Sequence, residues 1–152
     1  MKKSLFAVLL SLSTWAHADV LCPFLFNVVV QNNTGEQCRL VYQNVRMGNS
    51  RSKGIQDVII ENGQQSRPFT FETEVGLINE AVDVDLSFAC GDKMATFSSK
   101  KAVVKYVVYN SPTFTGNTSS LANMDAEYTV KPQSCFSLTQ PARPDTMIWT
   151  LH

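Results

Sequence analysis

Apolar and polar residues alternate with a period of two along most of the chain. The segment from Ala81 to Cys90 shows this most clearly. Its apolar residues share one face of the predicted strand, and its polar residues share the other. The apolar residues are Val82, Val84, Leu86 and Phe88, and the polar residues are Asp83, Asp85 and Ser87. Because successive side chains of a strand point to opposite faces, this alternation is typical of a strand that packs one face on a core. No segment keeps a helical period, so the pattern predicts an all-β protein.

Turn-forming residues separate the alternating segments. They predict an all-β, single-domain antiparallel β-sandwich of about nine short strands. The predicted strands are Phe24 to Gln31, Arg39 to Asn44, Gln56 to Glu61, Arg67 to Glu74, Ala81 to Cys90, Met94 to Ser98, Ala102 to Tyr109, Ala126 to Lys131 and Thr146 to Leu151. The polar stretch from Ser111 to Asn123 is predicted to be a long connecting segment.

The first 18 residues have the three parts of a secretory signal peptide. Lys2 and Lys3 precede an apolar stretch from Leu5 to Leu12, and Ala16-His17-Ala18 offers the small residues that a signal peptidase recognises. We therefore predict a signal peptide at residues 1–18 and one β-sandwich domain at residues 19–152, secreted or periplasmic in a bacterium.

The cysteines all follow the predicted cleavage site, at Cys22, Cys38, Cys90 and Cys135. Exported proteins enter an oxidising compartment, so this count predicts two disulfides. Four cysteines permit three connectivities. If consecutive strands reverse direction, Cys38 and Cys90 fall at one end of the sandwich and the other two at the opposite end, which favours Cys38–Cys90 and Cys22–Cys135. No C-x-x-C pair is present to indicate zinc.

Histidine is scarce, and this narrows the chemistry. His17 leaves with the signal peptide and His152 is the last residue given, so the core of the predicted domain contains no imidazole. Hydrolysis by a Ser-His-Asp or Cys-His arrangement needs one, and no nucleophile-elbow, phosphate-loop or dinucleotide motif occurs. We predict a protein that is not an enzyme and that carries no cofactor.

The predicted mature chain has no excess of positive charge. Of the 13 basic residues, Lys2 and Lys3 leave with the signal, so 11 face 13 acidic residues. We expect no binding of nucleic acid. Lys100 and Lys101 form a small basic patch with Lys105, and we predict that this patch is a solvated surface.

Carboxylates cluster in two neighbouring segments. If these segments pair as a hairpin with Phe71 opposite Val84, four acidic side chains share one wet surface. They are Glu72, Glu74, Asp83 and Asp85. Like charges on one sheet face repel, so the group is either a solvated acidic face or a candidate site for a metal cation or a basic partner. A carboxylate-dependent hydrolase that uses some of these residues is the alternative to a binding protein.

Candidate binding residues lie at the start of the predicted Ser111 to Asn123 connection and within it, although this segment is as often a plain connector. A polar Asn/Ser/Thr segment bordered by aromatic residues is a plausible ligand surface in exposed connections. We predict that it binds through Tyr109, Asn110, Phe114 and Asn117.

The order of several turn motifs resembles that of the aegerolysins, a family of small β-sandwich proteins. The motifs are Asn32-Asn33-Thr34-Gly35, Gly48, Ile60-Glu61-Asn62-Gly63, Phe71-Glu72 and Asn110 to Asn117. The resemblance covers residues 27 to 120 and implies binding to membrane lipids, with Asn110 to Asn117 as a matching late segment. The chain differs from the family in its four cysteines and in keeping only Trp149 after signal cleavage.

The leading hypothesis is a secreted, non-catalytic binding protein that presents its surface to a partner outside the cytoplasm. That partner is a membrane surface contacted peripherally, a glycan or a host protein. A structural subunit that assembles through its sheet edges is a further alternative.

Overall fold

The computed structural model describes residues 25–52, 57–75, 79–105, 110–132 and 144–152, with the backbone alone given for residues 75, 79, 104, 105, 110 and 111. The predicted signal peptide, Cys22, Cys135 and Tyr109 lie outside the described residues. Within these ranges, no helix is long and apolar enough to cross a bilayer.

The described residues form an all-β fold of two sheets. The strands are β1 (Leu25–Asn32), β2 (Cys38–Met47), β3 (Asn49–Ser50), β4 (Ile59–Ile60), β5 (Phe69–Glu72), β6 (Glu74–Val75), β7 (Asn79–Cys90), β8 (Lys93–Lys105), β9 (Asn110–Ala122), β10 (Ala126–Lys131) and β11 (Asp145–Leu151). Sheet A has the order β10-β11-β1-β5-β3. Sheet B has the order β4-β2-β7-β8-β9, and β6 also pairs with β7.

Most predicted strands are present, but three predictions need correction. The strand predicted at Met94 to Ser98 and residues 102–105 of the strand predicted at Ala102 to Tyr109 belong to the single strand β8, and the predicted connection at Ser111 to Asn123 is mostly the strand β9. β9 pairs with β8 along its whole length, and this pairing overrides the turn preference of its Asn, Ser and Gly residues. The sandwich is also not wholly antiparallel, because β1 and β11 run parallel.

The core lies between the two sheets and is rich in aromatic rings. Phe97 of sheet B stacks on Trp149 of sheet A with ring centroids 4.4 Å apart, and Phe69 meets Phe88 across the sheets at 6.2 Å. The Trp149 Nε1–H donates to the Ser99 Oγ at 2.8 Å, so the one polar atom of this buried ring is paired. These contacts fix how the two sheets face each other.

The predicted Cys38–Cys90 disulfide is confirmed. The two residues lie directly opposite each other where β2 begins and β7 ends, and both are fully buried. The predicted Cys22–Cys135 bridge stays a prediction, because both residues lie outside the described part of the chain.

The end of the sandwich with this disulfide is held by Asn32. Its side chain is fully buried and donates to the carbonyls of Glu36 and Ile60 at 2.7 and 2.8 Å. Its Oδ1 accepts from the Thr34 backbone N–H and hydroxyl at 3.0 and 2.8 Å. The Asn32 side chain therefore pairs the backbone polar groups of the turn at residues 34–36 and also joins this turn to β4.

At Gly48 the chain crosses from sheet B to sheet A between β2 and β3. Gly48 has φ of +91°, and a Cβ there would lie 2.5 Å from the Glu72 carbonyl oxygen. Only glycine combines this left-handed conformation with so close an approach. The short crossing places β3 beside β5.

The opposite end of the core contains a buried ion pair. The Lys101 side chain is fully buried, and its Nζ lies 2.8 Å from the Asp145 Oδ2 and donates to the Leu25 carbonyl at 3.1 Å. Lys101 belongs to β8, and the other two residues begin β11 and β1. The pair therefore joins sheet B to the parallel strands of sheet A.

Candidate functional site

The two predicted binding residues whose side chains are described lie on opposite faces of β9. Phe114 is opposite the buried Lys101, and its ring stacks on Phe26 at 6.2 Å. Asn117 is opposite Ser98 and is exposed. Residues three apart on a strand point to different faces, so these two do not share one surface. Only the backbone of Asn110 is described, and Tyr109 lies outside the described residues.

The acidic residues are divided between the two sheets. Phe71 is opposite Phe26 in sheet A, whereas Val84 is opposite Val45 and Ser99 in sheet B. The hairpin expected from the sequence is therefore wrong, because β5 does not pair with β7 and pairs with β1 in the other sheet. Glu72 lies in sheet A, and Glu74, Asp83 and Asp85 lie in sheet B. Across the described ranges, no group of three or more potential ligand side chains could hold a metal ion.

Asp83 and Asp85 share one arginine on the solvent-facing surface of sheet B. The Arg46 Nη2 lies 2.8 Å from the Asp83 Oδ1 and 3.0 Å from the Asp85 Oδ1. The hydrogen bond to Asp83 is the main cause of a pKa of Arg46 above its ordinary value. The guanidinium thus compensates the repulsion between the two carboxylates.

Glu72 is held in its ionised form by a different arginine. The Arg51 Nε and Nη2 donate to its two carboxylate oxygens at 2.9 and 2.8 Å. These hydrogen bonds lower the pKa of the Glu72 carboxyl below its usual range. A general acid of a glycosidase needs the opposite shift, so this arrangement does not favour the hydrolase hypothesis.

We expect Arg51→Gln to raise the pKa of Glu72 toward its usual value, because the two charge-assisted hydrogen bonds are lost. The folded-state pKa is depressed, so the stabilisation from this pair is present at neutral pH and is lost as pH falls through that pKa. An NMR titration of the Glu72 side-chain carboxyl measures the shift. Arg39→Gln, which changes an arginine in the other sheet, is the matched control. An unchanged Glu72 titration in Arg51→Gln would contradict the assignment.

Exposed apolar side chains gather near the disulfide, on the solvent-facing surface of sheet B. Ile59 lies opposite Arg39, Arg39 opposite Ala89, Ala89 opposite Met94, and Met94 opposite Ala122. Directly opposite residues share a face and lie side by side, so these five form one row across five strands. Ile59 is 47% exposed and Met94 is 41% exposed.

A β-bulge in β2 adds two more apolar residues beside this row. The register shifts between Leu40 and Tyr42, so Val41 is an extra residue that breaks the alternation. As a result the consecutive residues Val41 and Tyr42 are 53% and 52% exposed. We call Val41, Tyr42, Ile59 and Met94 the apolar patch.

A disulfide, a tight turn and a lysine hydrogen bond constrain the backbone beside the apolar patch. The Arg39–Ala89 pair directly follows the Cys38–Cys90 disulfide along the β2–β7 ladder. A two-residue turn then joins Cys90 to Lys93, and the Lys93 Nζ donates to the Thr34 carbonyl at 2.5 Å. A surface held in this way loses little conformational freedom when it binds a partner.

Arg39 gives the row a single cation. Its Nη2 lies 3.7 Å from the Asp57 Oδ1, and the two side chains are 59% and 82% exposed. An ion pair so exposed is weak, so the guanidinium can exchange this carboxylate for another anion. The surface therefore combines apolar contact with one accessible positive charge, which suits a partner that has both apolar and anionic groups.

The apolar patch was missed by reasoning from the sequence, although part of the signal was present. Ile59 and Met94 lie next to the buried residues Ile60 and Ala95. Strict alternation therefore places them on the solvent side. That they meet in one row depends on the order of the strands, and Val41 is exposed through a bulge. Neither feature is visible in the chain alone.

No protein-family model matches the chain, and no curated protein matches it. Among solved structures, the fold is similar to that of the lipid-binding protein Nakanori, with a TM-score of 0.54 and 11% sequence identity. The similarity covers 84% of this chain and 70% of the Nakanori chain. At this level of identity the comparison shows a shared fold alone.

Proposed function

We propose that this chain is a secreted, non-catalytic protein that attaches peripherally to membrane lipids through the apolar patch. The observation that carries the proposal is the likeness to the fold of lipid-binding Nakanori over 84% of the chain. The resemblance of the earlier motifs to the aegerolysins agrees with it, because that family also combines a small β-sandwich with lipid binding, whereas the late motif at Asn110 to Asn117 lies in the strand β9. The disulfide is consistent with an extracellular or periplasmic location.

The chemistry of the apolar patch supports this kind of attachment. Large apolar side chains exposed near one another on one face are typical of an interaction surface. Met94 adapts its shape readily, and Tyr42 has an apolar ring with a polar tip that suits the boundary between headgroups and acyl chains. Arg39 in the same row would meet the phosphate of a lipid headgroup.

The surroundings of the apolar patch favour shallow contact. Further along the same face lie the Ser87–Thr96 hydroxyl pair, joined at 2.8 Å, and the charged group of Arg46, Asp83 and Asp85. Charged groups are costly to move toward hydrocarbon, so insertion would stop at the apolar patch. Attachment of this kind places the solvent-facing surface of sheet B against the lipid, with the contact at the part near the disulfide.

Vesicle cosedimentation tests the proposal with the oxidised protein. The vesicles contain phosphatidylcholine alone, phosphatidylcholine with phosphatidylserine, or phosphatidylcholine with sphingomyelin and cholesterol. We expect binding to at least one composition. We expect Ile59→Ser with Met94→Ser to weaken it by about tenfold or more, since two apolar contacts are removed.

Met47→Ser is the matched control. Met47 is 41% exposed, as Met94 is, but it lies opposite Asp83 at the far end of β2. It should bind like the unchanged protein, and near-UV circular dichroism should show that all variants are folded. Absence of binding to all three vesicle types would overturn the membrane proposal. Equal losses in the two variants would show that the apolar patch is not the contact surface.

A further inference from the structure

Three of the four outer edges of the described sheets have features that discourage pairing with another strand. β3 and β4 are two residues long, and β10 has only six residues, with the charged Glu127 and Lys131 near its ends. Short edges and edge charges are the usual protections against sheet extension. The fourth edge, β9, is 13 residues long and contains no charged residue. Pro112 and the bulge at Ser119 interrupt its two ends, and residues 113–118 between them have no feature of this kind.

No strand among the described residues pairs with the free side of β9. Within the described ranges, its main chain hydrogen-bonds to β8 and to no other strand. Its central residues, Thr113 to Thr118, precede the register shift that leaves Ser119 as an extra residue, so this part is regular. A regular, uncharged edge with unpaired N–H and C=O groups is a template for another strand.

We propose that β9 pairs antiparallel with β9 of a second copy of this chain, which makes sheet B continuous through a two-fold dimer. Identical edges meet through a two-fold axis as an isologous interface. Opposite residues must share a face, so an axis within the regular segment passes through Thr115 or Gly116. In either register, threonine and asparagine side chains of the two copies meet on the solvent-facing surface.

Charge complementarity in the neighbouring strand favours a second copy as the occupant. β10 lies below β9, and the Tyr128 ring covers Gly116 so closely that a Cβ there would lie 2.5 Å from the Tyr128 Cδ1. Along β10, Glu127 precedes Tyr128 and Lys131 follows it, so an acidic and a basic residue lie on opposite sides of the Tyr128 position. The two-fold axis reverses the second β10, so the acidic end of one strand lies toward the basic end of the other.

The dimer has a consequence for the proposed membrane attachment. An axis perpendicular to the sheet keeps the solvent-facing surfaces of both copies on the same side. Two apolar patches would then face one membrane, and the second contact would form at high effective concentration. This consequence rests on the proposed function, whereas the dimer itself does not.

Sedimentation velocity of the oxidised protein without lipid tests the dimer, and it can succeed even if vesicle binding fails. We expect a concentration-dependent dimer of the unchanged chain. Thr115→Lys with Asn117→Lys puts lysine opposite lysine in either register and should weaken dimerisation by about tenfold or more. The matched control is Asn49→Lys with Ser50→Lys, at two exposed residues on the short edge β3. It should dimerise normally.

Amide hydrogen exchange locates the interface. Residues 113–118 should exchange more slowly at concentrations where the dimer forms, while β3 should not change. A monomer at concentrations up to about 100 µM would overturn the proposal. So would a dimer that tolerates both lysines in β9, or protection confined to another strand. Capture of an extended peptide by a monomeric chain would replace the second copy with a foreign strand.

Discussion

Lys101→Met is expected to lower the free energy of unfolding by about 3 to 5 kcal/mol, the usual cost of removing one partner of a buried ion pair. The Lys101 side chain is fully buried, and its Nζ lies 2.8 Å from the Asp145 Oδ2. Methionine fills much of the same volume but leaves that carboxylate, 8% exposed, without this cation. The Leu25 carbonyl also loses its donor. Urea denaturation measures the change.

The adjacent lysine is the control for this experiment. Lys100 is exposed on the solvent-facing side of β8, so Lys100→Met should change the free energy of unfolding by less than about 0.5 kcal/mol. A double-mutant cycle of Lys101→Met with Asp145→Asn should show a coupling well above the scatter of independent sites. If Lys101→Met costs no more than Lys100→Met, the buried pair does not stabilise the junction of the sheets.

Removing the disulfide has the second large effect. Cys38→Ala with Cys90→Ala opens a crosslink between residues 52 apart in sequence. Chain entropy alone predicts a loss of about 4 kcal/mol for a loop of this size. Both side chains are fully buried, so truncation to alanine also removes packing atoms. The free energy of unfolding from urea denaturation measures the loss.

A second readout separates loss of the crosslink from general unfolding. At low denaturant, hydrogen exchange should increase most near the start of β2 and the end of β7, where the bridge joins opposite residues. β10 and β11, in the other sheet, should change least. A loss of stability below about 1 kcal/mol would contradict the entropic estimate and would show that the β2–β7 ladder already restricts this end of the chain.

The alternation of side chains predicted much of the fold. Val82, Val84, Leu86 and Phe88 are all fully buried, as their shared face required. The same rule, applied further, would have placed Lys101 inside, because it alternates with the buried Ser99 and Val103. The sequence prediction instead treated Lys100 and Lys101 as one solvated patch. A charged residue at an inward position is informative because burying it requires a partner, here on a strand distant in sequence.

The candidate site was harder to predict because it depends on which strands become neighbours. The expected acidic cluster required β5 to pair with β7, but β5 pairs with β1 and Glu72 contacts Arg51 instead. For the apolar patch the reverse holds, because the sequence did not predict it and the structure shows it. Its residues lie far apart in the sequence and come together only because β2, β4, β7 and β8 lie side by side in sheet B. Local periodicity assigns a side chain to a face, whereas only the sheet order decides which residues share that face.

The parallel pairing of β1 with β11 also bears on how the chain reaches its folded state. Phe26 lies opposite Asp145, so the central strands of sheet A come from distant parts of the sequence. Contacts of such separation close slowly, and proteins rich in them fold over milliseconds to seconds. Until β11 is available, one side of β1 has no neighbour and is exposed to wrong pairing. Sheet A can therefore be completed only after β11 has been synthesised, and delayed folding of this kind would suit the proposed export of the chain.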